Sequence, residues 1–237
     1  MKSLALVIPC YNESRRLVIG EFLDALRKYS YLTFVFVDDG SKDDTAEILA
    51  YLEHASPAVR ACYLPRNVGK GEAVRQGISW ALANTTCEAV GFWDADLATP
   101  LAELDAFVKV LDDDATCEAV LGARWPHLGV QIDRNVFRHC TGGFLKVLIR
   151  LVLGAPVYDT QCGAKIFRRN CAARVFNRPF RSRWLFDVEV LKRIGSPENL
   201  RTVREVPLSF WRDVKGSKVG FLDSVRVLPD LVRIAVA

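Results

Sequence analysis

Residues 89–96 read AVGFWDAD, an apolar run that ends in Asp94 and Asp96. The run Ala89–Trp93 has the length and the β-branched and aromatic content of a buried strand. Alternate side chains of an extended chain point to the same side, so the two carboxylates face one way. Two oxygen ligands beside a crevice suit Mg²⁺ or Mn²⁺, which complete their shells with water and substrate phosphates. The alternative is a turn before a helix, because the pair Thr99-Pro100 is favourable at a helix start.

The chain around this run alternates apolar runs with helical patterns. Strands are predicted at Leu4–Ile8, Leu32–Val37, Val59–Leu64 and Ala89–Trp93, and helices at Arg15–Lys28, Asp43–Glu53, Gly71–Ala83 and Leu101–Leu111. This alternation predicts an α/β fold with a doubly wound, mainly parallel sheet and right-handed crossovers. Ligands of such sheets bind beyond the carboxyl ends of the strands, so we expect the chemistry in the residues that follow each run.

The rhythm changes after about residue 118. The predicted elements are then a strand at Ala119–Gly122, a basic and apolar helix at Asn135–Leu153, a strand at Ala164–Phe167, a helix at Leu185–Ile194 and an extended run at Thr202–Trp211. Because no linker-like or repeated stretch intervenes, residues 1–237 are predicted to form a single domain with a carboxy-terminal elaboration.

The composition places the chain among ordinary globular proteins. Half of its 237 residues are hydrophobic and a quarter are charged, which excludes disordered, collagen-like and disulfide-scaffold classes. Seven cysteines without a C-x-x-C pair predict reduced thiols in the cytosol. No stretch approaches the ~20 apolar residues of a membrane span, and no signal peptide pattern follows Met1, so we expect a cytoplasmic protein.

The charge is distributed unevenly along the chain. Residues 1–118 hold 11 basic and 19 acidic side chains, whereas residues 119–237 hold 21 basic and 9 acidic ones. This asymmetry suggests that the second half meets something anionic, such as a phosphate or a membrane surface. The alternative is two solvated faces that partly neutralise each other. Nucleic acid is disfavoured as a partner, because the basic excess comes without an identifiable reading motif.

Two further motifs follow predicted strands. Asp38-Asp39-Gly40-Ser41 comes after the second strand, where an aspartate can accept hydrogen bonds from a ribose or a base. The alternative is a capping box between Ser41 and Asp44. The motif Asn67–Gly71 opens the third helix, where glycines let backbone N–H groups approach a diphosphate and Lys70 adds charge. It matches neither the Walker pattern nor G-x-G-x-x-G.

Seven motifs in order together resemble an inverting family 2 glycosyltransferase of GT-A fold. They are Val7–Glu13, Val37–Ser41, Asn67–Gly71, Asp94–Asp96, Asp159–Lys165, Arg183–Glu189 and the stretch from Trp211 to Lys218. Those of the second half are similar to the dolichyl- and polyprenyl-phosphate β-glucosyltransferases and the related polyprenyl-phosphate mannosyltransferases. The resemblance covers nearly the whole chain and implies a nucleotide-sugar donor, a polyprenyl phosphate acceptor and Mg²⁺ or Mn²⁺.

The resemblance also implies a role for each matched residue. Asp96, with Asp94, would hold the metal ion. The nucleotide would be bound by Pro9, Tyr11, Asn12, Glu13, Asp38, Asp39, Gly40, Ser41, Gly69, Lys70, Asp94 and Ala95. Catalytic roles would fall to Asp96, Lys165, Arg183 and Asp187, and acceptor-binding roles to Gln161 and Lys218. Residues 1–118 would then be the nucleotide and metal half, and residues 119–237 the acceptor half.

Two departures from the family pattern matter. The residues after Asp96 are Leu97-Ala98-Thr99, so the Gln that helps to hold the metal in mannosyltransferase relatives is absent. No transmembrane anchor precedes Lys2. An amphipathic helix at about 135–153, with a basic stripe and a wide apolar arc, could instead make a peripheral contact with the cytoplasmic face of a membrane. A core helix or a dimer contact is the alternative, and the oligomeric state stays open.

The nature of the acceptor decides which other groups the reaction needs. A sugar hydroxyl must lose a proton to a general base, whereas a lipid monophosphate arrives as an anion and mainly needs cations. Candidates for clamping that phosphate are Arg134, Arg138, Lys165, Arg183 and Lys218. Asp187 is predicted to orient a cation. These residues favour a phosphate acceptor, and the resemblance implies inverting transfer of glucose from UDP-glucose to a polyprenyl phosphate. A saccharide acceptor and a non-catalytic nucleotide-sugar-binding module are the alternatives.

Overall fold

The computed structural model describes residues 1–125, 131–133, 148–183, 185–212 and 229–234. The strands in these ranges are β1 (Leu4–Cys10), β2 (Leu32–Asp38), β3 (Val59–Tyr63), β4 (Ala89–Trp93), β5 (Ala119–Ala123), β6 (Gln131–Asp133), β7 (Ala164–Arg168), β8 (Val203–Pro207) and β9 (Phe210–Arg212). The α-helices are α1 (Ile19–Lys28), α2 (Thr45–Ala55), α3 (Lys70–Asn84), α4 (Leu104–Asp113), α5 (Arg169–Val175) and α6 (Phe186–Ile194). Leu101–Glu103 and Asn199–Thr202 form 3₁₀ turns, and residues 148–153 and 229–234 are also helical.

Seven of these strands form one sheet in the order β3-β2-β1-β4-β7-β5-β8. Strands β3, β2, β1 and β4 run parallel, and β5 is parallel to β8. Strand β7 is antiparallel to both of its neighbours, β4 and β5. The amino-terminal end of β7 therefore lies at the same edge of the sheet as the carboxyl ends of β4 and β5. A separate parallel pair joins β6 to β9.

The sheet is covered on both faces because successive strand residues point to opposite sides. In β1, Ala5 and Val7 pack on the face that is covered by α3, α5 and α6. Leu6 and Ile8 pack on the other face, with side chains from α1, α2 and α4. All of these strand side chains are buried, so β1 lies at the centre of a three-layer α/β/α arrangement.

The predicted α/β fold with a mainly parallel sheet is confirmed, but several element boundaries differ. The first helix begins at Ile19, so its predicted start at Arg15 is wrong. Residues 14–16 form a turn instead, in which Arg16 and Leu17 donate their backbone N–H groups to the carbonyl of Glu13. This turn keeps the Arg16 side chain beside the end of β1.

The carboxy-terminal half also differs from prediction. The expected single run Thr202–Trp211 is divided into β8 and β9, which belong to different sheets. Of the amphipathic helix predicted at 135–153, residues 148–153 are described and helical, and the remainder lies outside the described residues. Within the described ranges, every helix is too short or too polar to cross a bilayer.

Candidate active site

The predicted nucleotide motifs meet at the carboxyl edge of the parallel strands. Asp39 donates its backbone N–H to the carbonyl of Cys10 at the end of β1, over 2.8 Å. Asn12 donates its backbone N–H to the Ser41 hydroxyl over 2.9 Å, and its own side-chain oxygen accepts the N–H of Lys42 over 2.8 Å. Asn12 has a φ of 50°, a conformation that is uncommon outside glycine. The loops after β1 and β2 are therefore built as one unit.

The alternative interpretation of the motif Asp38–Ser41, a capping box between Ser41 and Asp44, is wrong. Helix α2 begins at Thr45 without a side-chain cap, and the Ser41 hydroxyl is used by the loop after β1. Asp38 accepts the backbone N–H of Ser41 over 3.0 Å, across the turn that contains Gly40. Pro9 and Tyr11 lie half-buried on either side of Cys10. The motif thus shapes the turn after β2.

Asp39 positions the glycine loop that precedes α3. Its carboxylate accepts the backbone N–H groups of Val68, over 2.6 Å, and Gly69, over 2.9 Å. Burial raises the pKa of Asp39, and these hydrogen bonds oppose that shift. Gly69 has a φ of 98°, and a Cβ at this residue would lie 2.9 Å from Nε of Arg183. The loop therefore requires glycine both for its backbone conformation and for the close approach of Arg183.

The two aspartates after β4 each lie beside a basic side chain. Lys70 at the start of α3 forms an ion pair of 2.5 Å with Asp94. Arg16 approaches Asp96 to 3.4 Å and forms a second ion pair of 2.5 Å with Glu13. Burial and the negative charge of Asp94 raise the pKa of Asp96. The site thus concentrates negative charge, which side-chain cations partly balance.

A divalent cation is compatible with this pair of carboxylates. Asp96 accepts the Ala98 backbone N–H over 3.2 Å with one oxygen, within a turn in which Leu97 has a φ of 49°. Ala95 between the aspartates is buried against the core. Among the described residues, no cluster of three or more His, Cys, Asp or Glu side chains could hold a metal ion. A Mg²⁺ or Mn²⁺ ion here would take Asp96 and Asp94 from the protein, and water and diphosphate oxygens for the rest.

Gly163 makes room for the Asp94 carboxylate. The backbone N–H of Asp94 donates to the carbonyl of Gly163 over 3.0 Å, beside the register pair of Trp93 with Ala164. A Cβ at Gly163 would lie 1.9 Å from an oxygen of the Asp94 side chain. No side chain larger than hydrogen fits there unless the carboxylate moves.

We expect Gly163→Ala to lower kcat/KM for sugar transfer by about tenfold to a hundredfold, because a displacement of about 1 Å at a reacting centre has effects of that size. The measurement is steady-state kinetics together with thermal unfolding. Gly20→Ala is the matched control, because nothing lies within 4 Å of a Cβ at Gly20. Equal kinetics for the two variants would contradict this role for Gly163.

Lys165 and Asp187 form a buried ion pair beneath the site. The ammonium group of Lys165 donates to Asp187 over 2.5 Å and to the carbonyl of Cys162 over 2.6 Å. It also lies 5.0 Å from the centre of the Phe92 ring. The Lys165 side chain has no exposed surface, so the predicted direct contact with a phosphate is not available to it. Its contacts indicate that it instead fixes Asp187 at the start of α6.

Arg183 lies over the glycine loop. The residues just before it, Arg181 and Ser182, are fixed by hydrogen bonds to buried carboxylates. The Arg183 guanidinium donates to the side-chain oxygen of Asn67. The buried Glu189 of α6 accepts the backbone N–H groups of Arg181 and Ser182. The Ser182 hydroxyl donates to Asp230, over 2.6 Å, and accepts the backbone N–H of Leu185. The carboxy-terminal helical segment is thereby tied to the segment that carries Arg183.

The remaining predicted acceptor residues are only partly described. Gln161 is exposed on the segment before β7. Arg134, Arg138 and Lys218 lie outside the described residues.

Sequence reasoning missed another cation on this side of the site. Arg124, at the end of β5, donates to both carboxylate oxygens of the buried Asp159 over 2.6 and 2.8 Å. Its guanidinium also lies 5.3 Å from the centre of the Trp211 ring. Asp159 is the first residue of the motif Asp159–Lys165. An acidic residue in a shared motif indicates that a basic partner exists elsewhere in the chain, and this was the signal for Arg124.

The seven-stranded, mainly parallel sheet with paired aspartates at its carboxyl edge is the arrangement implied by the resemblance of the motifs to GT-A glycosyltransferases. The model of the family described as glycosyl transferase family 2 matches residues 5–176, and the chain belongs to this family. The chain is 31% identical to a dolichyl-phosphate β-glucosyltransferase of Trichomonas vaginalis, over 97% of this chain and 70% of that protein. It is 30% identical to the dolichyl-phosphate β-glucosyltransferase of Saccharomyces cerevisiae, over 99% of this chain and 74% of that protein.

A solved structure shares the fold. The glucosyl-3-phosphoglycerate synthase of Mycobacterium tuberculosis, crystallised with Mn²⁺, uridine diphosphate and glucosyl-3-phosphoglycerate, has a TM-score of 0.73 and 19% identity. The match covers 99% of this chain and 80% of that chain. The resemblance stated from the sequence motifs is thus confirmed at the level of family and fold.

Proposed function

We propose that this glycosyltransferase moves glucose from UDP-glucose, with inversion, to the phosphate of a polyprenyl phosphate such as dolichyl phosphate. The observation that carries the proposal is the meeting of two aspartates with Lys70 and Arg16 at the carboxyl edge of the sheet. An arrangement of this kind suits a diphosphate bridged by a divalent cation. The choice of glucose and of a lipid phosphate is supported by the names of the relatives from Trichomonas vaginalis and Saccharomyces cerevisiae.

The donor would lie across the loops after β1, β2 and β4. Asp39 would hold the glycine loop in place and Lys70 would approach the diphosphate, while Asp94 and Asp96 would face Mg²⁺ or Mn²⁺. When bound, such an ion would neutralise the charge that develops on the departing diphosphate, a contribution of several kcal/mol.

In the transfer step an oxygen of the lipid phosphate would attack the anomeric carbon from the face opposite the diphosphate. A new carbon–oxygen bond forms as the bond to the diphosphate breaks, and UDP departs with the electron pair. A phosphate monoester has a second pKa of about 6 and is already an anion at neutral pH, so no proton must be removed. Because Asp187 is held by Lys165, it suits an orienting role better than that of a general base. Arg183, which lies over the glycine loop, would be a cation for the incoming phosphate.

Membrane attachment is part of the same proposal. A lipid acceptor requires the enzyme to work at a bilayer surface, and we assign a peripheral position on the cytoplasmic face. The chemistry of the basic second half supports contact with anionic headgroups. Sedimentation with vesicles that contain anionic lipid, compared with neutral vesicles, tests this part separately.

The decisive experiment offers the full chain labelled UDP-glucose, GDP-mannose or UDP-N-acetylglucosamine together with a short polyprenyl phosphate and Mn²⁺. We expect the label from UDP-glucose alone to pass into organic solvent. Label that stays in water with every donor contradicts the proposal. A parallel reaction with soluble saccharides detects the hydroxyl-acceptor alternative, and retention of UDP-glucose without turnover would indicate a binding module.

A further inference from the structure

Arg16 is an active-site cation that belongs to none of the matched motifs. It lies in the turn between β1 and α1, and its side chain is 18% exposed. One guanidinium nitrogen lies 2.5 Å from a Glu13 oxygen, and the other lies 3.4 Å from a carboxylate oxygen of Asp96. The second contact joins residues that are 80 positions apart in the chain. Arg16 therefore connects the loop after β1 with the loop after β4.

The charges around Arg16 explain why it is held there. Asp94 and Asp96 lie close enough for the charge of one to raise the pKa of the other. Lys70 balances Asp94 through its 2.5 Å ion pair, and among the described residues Arg16 is the cation within ion-pair distance of Asp96. Glu13 is buried and shares the same guanidinium. Without Arg16, both Glu13 and Asp96 would lose an ion-pair partner.

We propose that Arg16 is a positioning residue that competes with the divalent cation for Asp96 and couples cation binding to donor binding. The inference rests on the proposed function for the position of the cation at Asp96. A cation that arrives alone weakens or replaces the contact of the guanidinium with one Asp96 oxygen. A donor diphosphate offers that guanidinium an alternative anionic partner. Arginine can form paired hydrogen bonds with phosphate oxygens, as it does with carboxylate oxygens. The cation and the nucleotide then each raise the affinity of the site for the other.

The test is the titration of the full chain with Mn²⁺, followed by the electron paramagnetic resonance signal of the free ion, with and without UDP. We expect Arg16→Gln to bind Mn²⁺ more tightly than wild type in the absence of UDP, by about twofold to fivefold, the factor that corresponds to the loss of one partly exposed ion pair. Glutamine can still donate a hydrogen bond to Glu13. The factor by which UDP strengthens Mn²⁺ binding is expected to shrink correspondingly.

Arg15→Gln is the matched control. It removes the same charge from the adjacent, exposed residue and is expected to leave both titrations at their wild-type values. Arg16→Lys keeps a charge at the site and is expected to fall between wild type and Arg16→Gln. It also preserves the test should Arg16→Gln fail to give the wild-type circular dichroism spectrum.

The inference is overturned if Arg16→Gln and Arg15→Gln bind Mn²⁺ equally, or if Arg16→Gln binds Mn²⁺ more weakly or not at all. It is also overturned if UDP strengthens Mn²⁺ binding by the same factor in Arg16→Gln and in Arg15→Gln. The titration needs neither sugar nor acceptor, so its outcome is separate from that of the glucose-transfer assay. Failure of the transfer assay with every donor would contradict the proposed function. The Mn²⁺ titrations would still show whether Arg16 competes with the cation.

Discussion

Asp96→Asn is expected to lower the rate of glucose transfer by roughly 10²- to 10⁴-fold, because weaker metal binding removes several kcal/mol of transition-state stabilisation. Asparagine has nearly the same shape and keeps an oxygen that can accept the backbone N–H of Ala98. The substitution thus removes the charge of Asp96 with little change to the turn. The measurement is kcat for transfer at saturating Mn²⁺, with the Mn²⁺ affinity measured in parallel.

Asp105→Asn provides the control for loss of a carboxylate. Asp105 is exposed on α4, where it pairs with Lys28 over 2.8 Å. We expect it to keep wild-type kinetics. An Asp96→Asn protein that retained transfer within tenfold of wild type would remove Asp96 from the proposed metal site. It would leave Lys70 and Arg16 as the groups that balance the diphosphate.

Much of the first half of the fold could be predicted from local patterns. A short apolar run such as Ala89–Trp93 carries its own strand signal, and the residue after it lies at a strand end in any parallel arrangement. The positions of Asp94 and Asp96 followed from this reasoning. The glycine loop was also located correctly, because the motif Asn67–Gly71 precedes and opens α3. The sequence assigned its backbone N–H groups to a diphosphate, whereas in the structure Asp39 accepts those of Val68 and Gly69.

The parts that could not be predicted depend on contacts between distant residues. The run Ala164–Phe167 predicts a strand, but the direction of that strand is set by its pairing with β4 and β5. Only this antiparallel pairing places Gly163 against Asp94 and turns an ordinary glycine into a steric requirement. The sequence predicts that Arg16 belongs to the first helix, because its neighbours have helical periodicity. In the structure that helix begins at Ile19, and the hydrogen bond from the backbone N–H of Glu13 to the Thr45 hydroxyl fixes the start of the turn that contains Arg16.

Lys165→Met is expected to lower the free energy of unfolding by about 3 to 5 kcal/mol, the usual effect of removing one partner from a buried ion pair. Methionine fills a similar volume but leaves Asp187 and the carbonyl of Cys162 without their shared donor. The measurement is urea-induced unfolding at neutral pH. Lys109→Met is the control, because Lys109 forms an exposed ion pair with Asp113. Its free energy of unfolding is expected to match that of wild type.

The double variant Lys165→Met/Asp187→Asn tests whether the unpaired charge of Asp187 causes the loss of stability. Replacing both members of a buried pair with neutral groups is often close to neutral, so we expect the double variant to regain much of the lost stability. If Asp187 acts only by orienting cations such as Lys70 through its charge, Asp187→Asn should raise KM and lower kcat by similar factors at every pH. If instead Asp187 removes a proton from a hydroxyl acceptor, Asp187→Asn should abolish kcat at every pH while donor and acceptor binding stay unchanged. That second result would contradict the phosphate acceptor and would make the Lys165–Asp187 pair part of the catalytic machinery.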